Sequence, residues 1–222
     1  MIGALLWWRR TTPPPDDLRE QFGGALRAGL RYARASAPLR ILLLRAFLFF
    51  CFASAVWALL PLVARQQLGG GAGFYGLLLG SIGAGAIAGA FAMPPLRARL
   101  GQDGLVLAAS LLTAASTAFL AVNGIAALAP VATFLLGTAW ITILTTLNGT
   151  VQAILPNWVR GRGLAIYLTL FNGAMTLGSL GWGAVAQQVG TTATLLAAAA
   201  VLAIFAALRR PARPACRPAR TT

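Results

Sequence analysis

The sequence predicts an all-α membrane protein with six transmembrane helices. Three observations carry this. The 222-residue chain is 58% hydrophobic and 10% charged, with a mean hydropathy of +0.76. Six apolar stretches approach or exceed the length needed to cross a hydrocarbon core. Arginine is crowded into every second connection between them.

A soluble domain carries about 25% charged residues. This chain has too few solvated groups to cover a globular surface. Its 18 basic residues, all arginine, stand against four acidic ones and no histidine, giving a net charge of +14. In a soluble protein such charge fits nucleic acid. Here the arginines fall at the edges of apolar runs, where they set topology and touch anionic head groups. The expected partner is the lipid bilayer, not nucleic acid. Cys51 lies in an apolar run and Cys216 in an Arg/Pro-rich tail. They belong in different surroundings, and neither has disulfide-partner or metal-ligand spacing. Cys51 reads as a small buried hydrophobe.

A spanning helix takes about 20 apolar residues. The candidate spans are residues 41–64, 74–93, 105–122, 126–152, 164–186 and 193–208. The sixth is short but almost wholly Ala, Leu, Val and Ile. Before the first span lie Arg9, Arg10, Arg19, Arg27, Arg31, Arg34 and Arg40, with Arg45 one turn inside it and able to snorkel back. Arg65 alone follows the first span. Arg97 and Arg99 follow the second, none the third, Arg160 and Arg162 the fourth, and none the fifth. Arg209, Arg210, Arg213, Arg217 and Arg220 follow the sixth. The positive-inside rule then places both termini in the cytoplasm of a multi-pass protein of the cell membrane.

The chain opens with the apolar stretch 1–8, then Arg9 and Arg10. A secretory signal has the reverse order. The segment reads as the end of a helix leaving the membrane, so the chain is expected to begin inside a larger pattern. Residues 1–40 are thus the end of a preceding span plus a cytoplasmic linker. Within it Thr11–Pro15 is proline-rich, and Asp16 and Asp17 suit a helix start. Leu18, Phe22, Leu26 and Leu30 then form a stripe with Arg19, Arg27, Arg31 and Arg34 off it. This amphipathic helix lies along the membrane face or packs on neighbouring protein, and Pro38 is expected to end it. Residues 41–208 form the transmembrane bundle, and 209–222 a basic cytoplasmic tail expected to be disordered.

Small residues recur at helical spacing. Gly76, Gly80 and Ala84 share one face of the second span, Gly85 and Gly89 form another pair, and the fifth span carries Gly173, Gly178, Gly181 and Gly183. Such spacing lets helix backbones approach closely. Any tightly packed bundle uses it, so it says little about function.

Three segments resemble a known family. Residues 75–80, Tyr-Gly-Leu-Leu-Leu-Gly, lead into a glycine-rich span ending in Pro95-Leu96-Arg97-Ala98-Arg99-Leu100. This resembles span eight and the following loop of major facilitator superfamily transporters. Pro156-Asn157-Trp158-Val159-Arg160-Gly161-Arg162-Gly163 resembles the loop before span eleven. Residues 22–32, from Phe22 to Tyr32, resemble the linker between the two halves in the branch of exporters that includes the enterobactin exporter. The resemblance covers nearly the whole chain. It implies the carboxyl-terminal half of a twelve-span transporter, built as two inverted three-helix repeats, with substrate between two halves near the membrane midplane. The missing partner is then an amino-terminal half, or a second copy through self-association.

One loop departs from the family pattern, which runs roughly Gly-x-Leu-x-Asp-Arg-x-Gly-Arg-Arg. Leu96, Arg99 and Gly101 match; Pro94 and Ala98 replace the glycine and aspartate, and Gln102 and Asp103 replace the closing basic pair. A charge-relay gate is therefore in doubt. Arg97, Arg99, Arg160 and Arg162, with Gly101, act either as a cytoplasmic gate against helix C-terminal dipoles or as topology anchors.

Enzyme chemistry has little support. There is no histidine, no carboxylate within a span, and no phosphate-cradling loop with a lysine. No cofactor or metal is expected. With no ATP-binding segment, movement would draw on an ion gradient, and the proton carriers would lie in the partner half. Polar residues at depth are few: Thr145, Thr146, Asn148 and Gln152 on the fourth span, and Tyr167, Thr169, Asn172 and Thr176 on the fifth. Amides in a span face protein, water or substrate, because lipid cannot satisfy them. Asn148, Gln152, Asn172 and Thr176 thus line a small-molecule substrate path or bond between helices. Trp57, Trp140, Phe171 and Trp182 stack on an aromatic or amphipathic substrate, or serve packing. Two readings compete: half of an exporter of a small lipophilic or siderophore-like molecule working by alternating access, or a truncated scaffold that pairs with itself or a separate first half.

Overall fold

The computed structural model describes residues 31, 34–157 and 159–207. The amphipathic stripe at 18–30, Trp158 and the basic tail at 209–222 lie outside the described residues. In chain order the elements are α1 (Ala37–Leu62), a π-helical turn (Val63–Gln67), α2 (Ala72–Val122), a 3-10 turn (Ala126–Leu128), α3 (Ala129–Ile154), α4 (Arg160–Val189) and α5 (Thr191–Ala207). Among the described residues there is no strand.

Helical backbone breaks at Ser36 and restarts at Ala37, so Pro38 falls in the first turn of α1. There its missing N–H costs no hydrogen bond and its fixed φ suits the helix. Pro61 lies inside α1 near its far end. It removes a backbone donor, and the winding loosens at once into the π turn Val63–Gln67. Past the 3-10 turn, Pro130 occupies the first turn of α3, again where a proline is tolerated.

The candidate span 74–93 stops just short of Pro94 and Pro95, and the helix continues through both. Their fixed φ is compatible with helix, and Ala90 and Phe91, whose carbonyls lose N–H partners, are exposed. The break comes at Gly101, with φ 68 and ψ −177, which divides α2 into arms 72–100 and 102–122. A straight helix of 51 residues would run about 77 Å at 1.5 Å per residue, far beyond a hydrocarbon core of roughly 30 Å. The arms fold back instead: Leu78 from the first and Leu120 from the second share one apolar cluster with Leu60 and Leu136.

Four helices are long and apolar enough to cross a membrane: Ala37–Gln67, Ala72–Val122, Ala126–Ile154 and Arg160–Val189. Thr191–Ala207 is a shorter apolar helix. One end of the bundle gathers Ala37, Arg45, Gln102, Asp103, Thr150 and Ile154 around a single cavity. Near the opposite end Leu59, Val63, Ala121 and Leu195 cluster, and Gln67 donates from Nε2 to Thr192 Oγ1 at 2.8 Å. Successive segments therefore run in alternate directions. The main core, around Phe49, Phe50, Ile143, Leu147 and Tyr167, joins α1, α3 and α4. Yet α4 buries only Gly163, Tyr167, Ala174 and Gly178, leaving most of its surface open.

Candidate substrate path and cytoplasmic arginines

An aromatic wall is built where α1, α3 and α4 meet. Phe50 is fully buried. Its ring centroid lies 4.6 Å from Phe171 and 5.6 Å from Trp140, both edge-on. Trp140 in turn lies 5.2 Å from Trp57. These spacings fall in the range where edge-to-face rings attract. Trp140 and Phe171 thus meet on Phe50, Trp57 joins them through Trp140, and the half-buried Trp57, Trp140 and Phe171 keep part of each ring exposed. Trp182 lies apart, 6.2 Å from Phe52.

The polar side chains divide into two separate pairs. On α3, Gln152 Nε2 donates to Asn148 Oδ1 at 2.6 Å, one helical turn away on the same face. On α4, Asn172 Nδ2 donates to the Leu168 carbonyl at 2.8 Å, and Thr176 Oγ1 to the Asn172 carbonyl at 2.9 Å. Thr169 Oγ1 donates to the Ala165 carbonyl at 2.9 Å. Among the described residues no hydrogen bond joins the two pairs. Thr169, Asn172 and Thr176 are exposed and one turn apart, so they form a polar stripe on an otherwise apolar helix. Phe171 sits beside that stripe and carries the aromatic wall to it.

The arginines at the end of the first arm of α2 and in the first turn of α4 differ in placement. Arg97 is half-buried, and its Nη2 lies 3.9 Å from the position of a Cβ on Gly149 in the second-last turn of α3. A cation there meets the negative end of the α3 dipole. Arg99 and Arg160 are exposed, while Arg162 is half-buried and takes part in a contact. Gly101 supplies the break between the two arms of α2.

The glycines also separate. At Gly85 an added Cβ would collide with the Phe134 carbonyl, and at Gly89 it would lie 2.8 Å from Ile141 Cγ2. At Gly178 it would collide with Ser54 Oγ and the Cys51 carbonyl. These three admit close helix crossings. Gly76 and Gly80 depart from the expectation: a Cβ at either meets nothing within 4 Å. No helix among the described residues packs on them, because the α2–α3 crossing is centred farther along. The sequence reading missed Gly137, whose added Cβ would collide with the Ile82 carbonyl. It also missed Thr138, whose Oγ1 donates to the Gly85 carbonyl at 2.9 Å. The spacing of Thr133 and Gly137 was the available signal.

The family profile described as transmembrane secretion effector matches residues 1–215. The chain belongs to this family. No curated protein and no solved structure matches the chain. The match joins the apolar helices in identifying a multi-pass membrane protein of the major facilitator type, associated with transport and efflux. It points to a transporter rather than an enzyme.

Proposed function

We propose that this secretion-effector chain is half of a secondary-active exporter. It crosses the cytoplasmic membrane six times, with both termini inside, and moves a small lipophilic or siderophore-like molecule by alternating access. On this reading the two arms of α2 are separate spans, and α1 with those arms and α3 with α4 and α5 are the two inverted repeats. The observation that carries the reading is the stripe Thr169, Asn172 and Thr176 on α4, open beside the aromatic wall. Among the described residues, each of these side chains bonds to its own helix alone. Lipid offers no partner for the unused amide oxygen of Asn172, so the stripe faces water, substrate or a second transporter half. Asn148 and Gln152 extend the polar lining toward the inner end of α3, and Arg97, Arg99, Arg160 and Arg162 line the cytoplasmic side. Asp103 is the one carboxylate among the described residues, and no histidine is present. Charge carriers for ion coupling therefore belong to the partner half.

The test is efflux from cells carrying this chain joined to an amino-terminal half. Asn172→Ala and Asn148→Ala should change efflux rate or substrate preference while protein level stays constant. Unchanged rate and preference for both remove these residues from the path. Reporter fusions after Arg97 and Arg160 should report the cytoplasm, and a fusion at Thr192 the outside.

A second reading is favoured by the outer face of the first arm of α2. Phe91 is 80% exposed and Ile87 64%, and Gly76 and Gly80 lie open nearby along the arm. A scaffold pairing with itself would cover this face. Cross-linking of the chain expressed alone, giving a dimer without efflux, would select that reading.

A further inference from the structure

Arg65 is the arginine that the topology pattern does not explain. The other described arginines stand near the end of the bundle where α1 begins, α2 breaks and α4 begins. Arg65 stands at the opposite end, in the π turn after α1, close to Gln67 and its hydrogen bond to Thr192. The positive-inside rule gives a basic residue no role at that end. Asp103 is the one carboxylate among the described residues, and it shares a cavity with Arg45. The helical stretch between Arg45 and Arg65 is about 30 Å long at 1.5 Å per residue. No described carboxylate therefore neutralises Arg65.

Arg65 lines a cavity of about 440 Å³ between the end of α1 and the start of α2. Pro61, Ala64 and Ala72 give it apolar walls, and Tyr75 is its other side chain with a polar group. Among the described residues neither the Arg65 guanidinium nor the Tyr75 hydroxyl has a hydrogen-bond or ion-pair partner. The first turn of α2 brings its positive dipole end to the same space. The cavity also adjoins the aromatic wall. Trp57, Pro61 and Arg65 follow one another at helical spacing along α1, and Trp57 and Tyr75 pack on the same apolar cluster. A lone cation, a free hydroxyl and apolar walls suit a ligand with one anionic end and a greasy body.

We propose that this cavity binds the carboxylate end of an amphipathic organic acid. The Arg65 guanidinium and the Tyr75 hydroxyl donate to the carboxylate oxygens, while Pro61, Ala64 and Ala72 cover the adjoining apolar part. The volume falls within the range of small-ligand sites. An ionised acid takes a charge-assisted hydrogen bond from Arg65 that a neutral amide cannot match, and an amine brings a like charge to the guanidinium. The site needs this chain alone. That the acid is also the exported molecule, held at the outer end of the path beyond the aromatic wall, rests on the exporter reading.

The test offers the full chain, purified in detergent, three probes of similar shape: 1-naphthoate, 1-naphthamide and 1-naphthylmethylamine. Equilibrium dialysis against protein-free micelles reads binding. Naphthoate should bind about tenfold more tightly than the amide, the scale that separates a charge-assisted from a neutral hydrogen bond, and the amine should bind most weakly. Arg65→Gln should erase the preference for the acid, and Arg65→Lys should keep most of it. Tyr75→Phe should lower naphthoate affinity roughly threefold. Arg65 is exposed, so its substitution leaves the fold intact. Equal binding of acid and amide, or a preference that survives Arg65→Gln, overturns the proposal. Displacement of naphthoate by an equal concentration of phosphatidylglycerol, or by millimolar inorganic phosphate, overturns it in favour of a lipid phosphate or a free anion. In cells carrying the chain joined to an amino-terminal half, Arg65→Gln should slow efflux of naphthoate alone, whereas Asn172→Ala should slow acid and amide together. No efflux of either probe, with Arg65-dependent binding retained, refutes the link to export and upholds the site.

Discussion

Trp182 on α4 donates its indole N–H to the backbone carbonyl of Cys51 on α1 at 3.1 Å. The same carbonyl accepts from Ser54 Oγ at 2.7 Å, and Gly178 lies against both groups one turn earlier on α4. A helix carbonyl already bonded within its helix can take a second donor only where a neighbouring backbone comes very close. Gly178 allows that approach, and Trp182 uses it. This crossing is the tightest hold on a helix that otherwise buries little of itself.

Gly178→Ala should therefore cost about 1–3 kcal/mol, since the new methyl has no room and must push the helices apart. Trp182→Phe keeps most of the ring and loses one hydrogen bond, so about 0.5–1.5 kcal/mol is expected. Thermal unfolding in detergent should rank the parent chain first, Trp182→Phe second and Gly178→Ala last. An alanine variant that melts with the parent chain contradicts the crossing.

A second contrast lies within the glycine pattern of α2 and α3. Gly85→Ala and Gly137→Ala place a methyl against the Phe134 and Ile82 carbonyls, and each should cost about 1–3 kcal/mol. Gly76→Ala and Gly80→Ala meet open space and should change stability of the isolated chain by about 0.5 kcal/mol or less. Joined to a partner half, the same two substitutions should impair assembly if that half packs on this face. Co-purification of tagged halves reads this out.

The helices and their order were legible in the sequence because the bilayer imposes two simple rules. Apolar runs must be long enough to cross, and arginine must stay on one side. The start of α1, which carries Arg45, the start of the second arm of α2 and the end of α3 lie around one cavity. Helix α2 runs on past residue 93 through Pro94 and Pro95, because proline φ is compatible with helix; apolar length marks a span, not the end of its helix. The glycine faces were read only in part. Spacing shows where a helix could approach, yet not which of two glycine stripes on α2 the neighbour uses. Among the described residues Gly85 and Gly89 are packed against, while Gly76 and Gly80 meet nothing. The aromatic wall was invisible as a unit, because Phe50, Trp140 and Phe171 come from three distant segments and meet only through the tertiary crossing. The pairing of Asn148 with Gln152 was accessible from their four-residue spacing.

Tyr167 is fully buried, and among the described residues its hydroxyl has no hydrogen-bond partner. Removing a buried unsatisfied polar group relieves its desolvation cost, about 1–3 kcal/mol at most. Tyr167→Phe should therefore match or exceed the parent chain in melting temperature. Tyr167→Ala should lose about 3–5 kcal/mol, because the ring fills the core between α1, α3 and α4. A Phe variant markedly less stable than the parent chain would show that the hydroxyl has found a partner.

Gly101 offers the sharpest test of the break in α2. Its φ of 68 and ψ of −177 lie in a region open essentially to glycine alone, and not in the left-handed helical region that asparagine tolerates. A Cβ there meets nothing within 4 Å, so any cost of substitution is backbone strain and not crowding. Gly101→Ala should cost about 1–3 kcal/mol, and Gly101→Asn should cost as much. Gly124 is the matched control: it also has open space around a Cβ and its φ is not positive, so Gly124→Ala should leave stability nearly unchanged. Melting temperatures of the three variants in one detergent decide the matter. If Gly101→Asn recovers most of the loss seen with alanine, the turn is left-handed helical, and the two arms of α2 meet at a different angle from the one described.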